Sequence, residues 1–163
     1  MPQPMVIQPL FDAGDDEWVT MTGRYILNMG MVEMATRLLV ARIEGTDGTP
    51  IFCDDLAARL GFIRKRFPRE DTVRHKWAMN AIEVTVKHAG FRNIIAHSPL
   101  VITQHADGSR RIQGIMDVTP KSSATIAQFV SLEELKGRVN ESAVFARQLL
   151  EMQADFPLAE EED

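Results

Sequence analysis

The stretch "DDEWVTMTGRYILNMGMVEMATRLLVARIE", residues 15–44, contains no proline and carries a single apolar stripe. Trp18, Tyr25, Val32 and Leu39 recur at seven-residue intervals, with Met21, Met29, Ala35 and Leu38 beside them. Seven residues are close to two α-helical turns, so these side chains share one face of a long helix. Asp15, Asp16 and Glu17 suit the positive end of its dipole. Gly23 and Gly30 lie on one face, and each costs about 1 kcal/mol relative to alanine. A tight crossing by another helix, from this chain or from a second copy, would explain them. Glu33 stands four residues before Arg37 and reads as a solvent-facing partner to it; the alternative places Glu33 in an interhelical site.

Working outward, residues 1–13 read as an extended arm, with Pro2, Pro4 and Pro9 blocking regular pairing. Downstream, "GTDGTP" (45–50) is a turn. A shorter helix over about 54–67 places Leu56, Leu60, Ile63 and Phe67 at helical spacing, and Pro68 ends it. A third helix starts at Asp71 or Thr72 and runs to about His97, because Ser98 precedes Pro99 and is pushed out of the helical region. The period then changes. "LVITQH" and "RRIQGIMDV" are strand-like runs joined by a turn at Asp107-Gly108, a β-hairpin over about 100–118. "ATIAQFV" offers a short third strand. Ser131 and Glu134 form a capping box that opens a last helix over about 132–153. The tail "LAEEED" reads as acidic and disordered. The expected architecture is mainly α: an antiparallel four-helix bundle with a small β-hairpin inserted before the last helix. The expected organisation is an arm at 1–13, one helical domain at 14–156 and a tail at 157–163.

The chain has 163 residues, 45% hydrophobic and 25% charged, which suits one ordinary globular core. Its one cysteine, Cys53, allows no internal disulfide, and a reducing cytoplasm fits. Cys53 reads as a small residue before a helix start, not as a nucleophile. The N-terminus lacks the features of a signal peptide, and the apolar runs are too short to span a bilayer, so no membrane association is expected. The four histidines, His75, His88, His97 and His105, lack metal-ligand spacing with carboxylates. No phosphate-cradling glycine loop, CxxC, HExxH or GxSxG occurs. Neither a metal nor a cofactor is expected.

The net charge of −5 argues against bulk nucleic-acid binding driven by phosphate neutralisation. Charge is unevenly spread, however. "RKRFPREDTVRHK" (64–76) carries Arg64, Lys65, Arg66, Arg69, Arg74 and Lys76 against Glu70 and Asp71. It is either a local basic patch or a solvated helix-turn-helix surface.

At the end of the third helix, "FRNIIAHSPL" (91–100) sets Arg92, Asn93 and His97 around apolar neighbours. Asn93 and His97 share a helical face, whereas Arg92 and His97, five apart, do not. A helix stop at Pro99 leaves His97 in the last turn, able to swing back. Arg92 is a fork-shaped cation suited to phosphate, His97 is titratable, and Asn93 can orient the ring. Alternatively, Arg92 and His97 simply satisfy the exposed carbonyls of the helix end.

"RNIIAH" (92–97) resembles the R-x4-6-H signature of the HEPN superfamily, in which a polar residue, commonly Asn, often follows the Arg. The order of elements is similar too: a long first helix, a third helix ending in the motif, and a final helix after an insertion. The resemblance implies a helical bundle that pairs as a homodimer, with two motifs facing each other and cutting RNA without a metal. In that setting Arg92 would bind the scissile phosphate, His97 would transfer a proton and Asn93 would position one of them. Arg64, Lys65, Arg66 and Lys76 would guide the RNA backbone. The implied activity is that of a cytoplasmic endoribonuclease in a defence or toxin-antitoxin setting. The toxin branch that pairs with a nucleotidyltransferase antitoxin carries a Tyr two residues after the motif His. Here that position is Pro99, and the chain's only tyrosine is Tyr25. The alternative is a non-catalytic helical module binding a nucleotide, RNA or a protein partner.

Overall fold

The periodic stretch forms helix α1 (Asp16–Glu44), which opens after a 3-10 turn at Ala13–Asp15. The computed structural model describes residues 6–8, 13–45, 55–97, 100–115 and 127–157. Among these, three further helices follow: α2 (Leu56–Arg66), α3 (Thr72–His97) and α4 (Leu132–Glu151). Helix α4 tightens into a 3-10 turn at Met152–Asp155. Strands β1 (Val6–Gln8), β2 (Leu100–Gln104), β3 (Arg110–Ile115) and β4 (Ala127–Ser131) form an antiparallel sheet in the order β1-β2-β3-β4. The fold is mainly α, with a β-hairpin between α3 and α4.

Local chemistry sets the helix ends. The Asp55 carboxylate accepts the Ala57 N–H at 3.1 Å and caps α2. Asp71, not Thr72, caps α3, accepting from the N–H groups of Val73 at 3.0 Å and Arg74 at 2.9 Å. The capping box closes in both directions: the Ser131 N–H donates to Glu134 at 2.7 Å and the Glu134 N–H to Ser131 Oγ at 3.2 Å. The hairpin turn places Gly108 at φ +80°, and Asp107 accepts from the Ser109 N–H at 2.9 Å.

The chain divides into two compact units, Met1–Leu27 with Gly90–Asn140 and Asn28–Ala89 with Glu141–Asp163. In the first, the rings of Tyr25 and Phe91 meet edge to face at 5.1 Å, and the Arg138 guanidinium lies 4.2 Å over Phe91. Trp18, Ile94, Ile95, Leu135 and Val139 are buried in the same unit. Ile102 and Val130, the register partners of Ile112, are buried in the sheet. Buried Asp15 pairs with Arg110 at the start of β3.

In the second unit, Met29, Val32, Leu39, Leu60, Ile63, Ile82, Phe145 and Leu149 are buried. Here α3 runs antiparallel to α4, since Arg74 meets Asp155 and His88 meets Glu141. Helix α1 and the α4 segment run in the same direction. Asn28 donates to Ser142 at 3.0 Å and, the same interval further on, Arg42 donates to the Phe156 carbonyl.

Four expectations change. Val6, Ile7 and Gln8 do pair regularly, with Gln104, Thr103 and Ile102. The prolines bracket these residues instead of interrupting them, and an edge strand tolerates that. Glu33 does not face solvent beside Arg37; it pairs with Arg59, which is completely buried. A methyl group on Gly23 or Gly30 would meet nothing within 4 Å, so no described segment of the chain crosses closely there. Leu38 is exposed, not packed beside the stripe. The expectations for Cys53, for Ser98 and Pro99, for 116–118 and for the tail from 158 onward lie outside the described residues.

Candidate functional site

Helix α3 ends at His97, as the Ser-Pro pair after it predicts, and β2 begins at Leu100. Phe91, Ile94 and Ile95 are buried and hold this last stretch against the first unit's core. Between them Arg92 is half-buried and Asn93 exposed. Arg92 Nη1 donates to Asn93 Oδ1 at 3.0 Å. The amide that follows the Arg therefore fixes one edge of the guanidinium fork, leaving the fork's planar, permanently charged character suited to an oxyanion. Backbone geometry places His97 one turn beyond Asn93, on the same helical face. The expected swing of the His97 ring lies outside the described side chains.

The basic residues divide. Arg64 and Lys65 line a surface hollow of about 570 Å³ together with Gly61, Arg69, His75 and Met79. Arg66 does not join them; its guanidinium lies 3.7 Å over the Phe62 ring. Lys76 is exposed and outside the lining. Arg74 is committed elsewhere. It grips Asp155 through Nε at 3.0 Å and Nη2 at 2.8 Å, and lies 3.8 Å over Trp77. The hydrogen bond to Asp155 raises the Arg74 pKa.

Arg69, which the sequence shows in the basic stretch, and His75, one of its four histidines, line the hollow although neither is among the expected RNA-guiding residues. Both sit inside the basic stretch 64–76, and Pro68 was the available clue. By ending α2 it turns the chain so that Arg69 and the first turn of α3 meet the last turn of α2. The His75 ring lies 6.2 Å from Phe67, which is buried just before that proline.

Two other polar arrangements serve structure. Arg59 Nε donates to Thr36 Oγ1 at 3.0 Å while its other end pairs with Glu33. His88, buried against Phe145 at 4.9 Å, meets Glu141 at 2.9 Å. Among the described residues no three His, Cys, Asp or Glu side chains gather as metal ligands, and no helix is long and apolar enough to cross a membrane.

Comparison with protein-family models, with curated proteins and with solved structures finds no match to this chain.

Proposed function

We propose that the protein is a HEPN-like, metal-independent endoribonuclease that works as a homodimer in the cytoplasm, in a defence or toxin-antitoxin setting. The observation that carries this reading is the Arg92–Asn93 hydrogen bond on the last turns of α3, in a segment anchored by buried Phe91, Ile94 and Ile95. A guanidinium held by its neighbour on a rigid helix is pre-organised for a phosphate, and such preorganisation is what transition-state charge stabilisation requires. In the proposed reaction the ribose 2′-oxygen forms a bond to phosphorus and the bond from phosphorus to the 5′-oxygen breaks. Arg92 neutralises the charge that develops on the phosphoryl oxygens. His97 takes the 2′-hydroxyl proton or delivers one to the leaving oxygen. Asn93 holds Arg92. Arg64, Lys65, Arg66 and Lys76 guide the strand.

Self-association has its own support. Helix α1 carries Leu27, Met31, Met34 and Leu38 exposed at helical spacing, with Gly30 exposed among them. The two glycines, met closely by no described segment of the chain, suit close contact with a second copy.

The reaction predicts its own products. RNA cut by the purified protein should carry a 2′,3′-cyclic phosphate at one new end and a 5′-hydroxyl at the other. Fragments ending in a 5′-phosphate, or intact RNA, would contradict this chemistry.

A further inference from the structure

Three elements bring basic side chains to one hollow in the second unit. Arg64 and Lys65 come from the last turn of α2, Arg69 from the segment after Pro68, and His75 from the first turn of α3. Cations on the last turn of a helix are expected from its dipole alone. Arg69 and His75 do not belong to that helix end, so the dipole does not account for the convergence. The nearby acids are engaged or lie outside it. Asp71 accepts the first-turn N–H groups of α3, and Asp155 is gripped by Arg74. Glu70 is exposed and is not among the lining residues. Among the described residues no carboxylate lines the hollow, on a chain whose net charge is −5. Gly61 and Met79 are the uncharged residues among its described lining.

The volume, about 570 Å³, is that of a site for a small ligand. Three cations and an imidazole facing one such space fit an anion with several acceptor oxygens. The N–H groups of Val73, Arg74 and His75 in the first turn of α3 are already taken by Asp71, so the side chains would do the binding.

We propose that this hollow is a seat for a phosphate ester, with Arg64 and Arg69 as its principal ligands and Lys65 and His75 completing it. The group is supplied either by a free mononucleotide or by a strand of RNA. The inference rests on the strand-guiding part of the nuclease reading and not on Arg92 or His97. A protein that binds here without cutting RNA would leave the hollow and remove the nuclease.

The test is equilibrium binding of 5′-AMP, of adenosine and of a fluorescein-labelled RNA dodecamer without a terminal phosphate. The wild-type chain is compared with the R64A/R69A double variant and with R147A, an exposed cation on α4 that is not among the lining residues. All of these positions are exposed, so each variant should fold, which circular dichroism checks. Wild type should bind AMP and not adenosine, or should bind the dodecamer, and R64A/R69A should weaken that binding by about tenfold or more. R147A should leave it within about twofold. Loss of AMP binding identifies a mononucleotide seat; loss of the dodecamer alone identifies strand phosphates. Equal weakening by R147A and R64A/R69A, or no binding of either phosphorylated probe by wild type, overturns the proposal.

Discussion

Arg92 and Asn93 are neighbours in sequence and hydrogen-bonded to each other, Nη1 to Oδ1 at 3.0 Å, on the last turns of α3. Because Asn93 is exposed, its replacement removes the brace without opening a cavity. Asn93→Ala should therefore leave the melting temperature nearly unchanged, within about 0.5 kcal/mol in stability. RNA cleavage should fall, by about tenfold, through looser positioning of Arg92. A kinetic comparison with Arg92→Ala checks the order: the Asn93 variant should retain more activity.

Arg59 is wholly buried and its guanidinium faces Glu33. Removing the carboxylate leaves a buried cation with an incomplete set of partners. Glu33→Ala should destabilise the fold by about 3 kcal/mol, whereas the paired apolar replacement Glu33→Leu with Arg59→Met should cost much less. Chemical denaturation of the two variants against wild type measures the difference. A double variant worse than the single one would show that the pair does more than satisfy itself.

Glu134 is held below the ordinary glutamate range, chiefly by the hydrogen bond it accepts from the Ser131 N–H. A carboxylate with a lowered folded pKa contributes stability that is fully present above its unfolded value, about 4.3. That contribution is lost as pH falls through the lower folded value. The melting-temperature gap between wild type and Glu134→Gln should be steady near neutrality and shrink on acidification below about pH 4. Ser131→Ala, which removes the other half of the box, should cost about 1 kcal/mol at neutral pH.

Much of the fold was legible because it follows periodicity and end chemistry. Trp18, Tyr25, Val32 and Leu39 are all buried, as a stripe of that period requires. The Ser131–Glu134 box and the turn at Asp107-Gly108 are local motifs, complete within a few residues. What was not legible depends on partners far away in the chain. Arg59 carries no local sign of burial, because its partner Glu33 lies on another helix. Local spacing offers Glu33 its nearest opposite charge, Arg37, and only the fold selects the interhelical alternative by bringing Arg59 to it. Strand β1 exists because Val6–Gln8 meets the free edge of β2, and proline counting cannot reveal that. The same holds for the candidate sites. Arg92 and Asn93 could be read from adjacency, whereas Arg69 and His75 enter the basic hollow only through the turn at Pro68.

The central claim concerns Arg92 and His97, and single-turnover cleavage of RNA in EDTA by wild type, Arg92→Ala and His97→Ala tests it most directly. Wild type should cut, and each variant should be slower by about a hundredfold or more while keeping the wild-type circular dichroism and melting curve. Cleavage by His97→Ala at the wild-type rate, or none by wild type, would contradict the account.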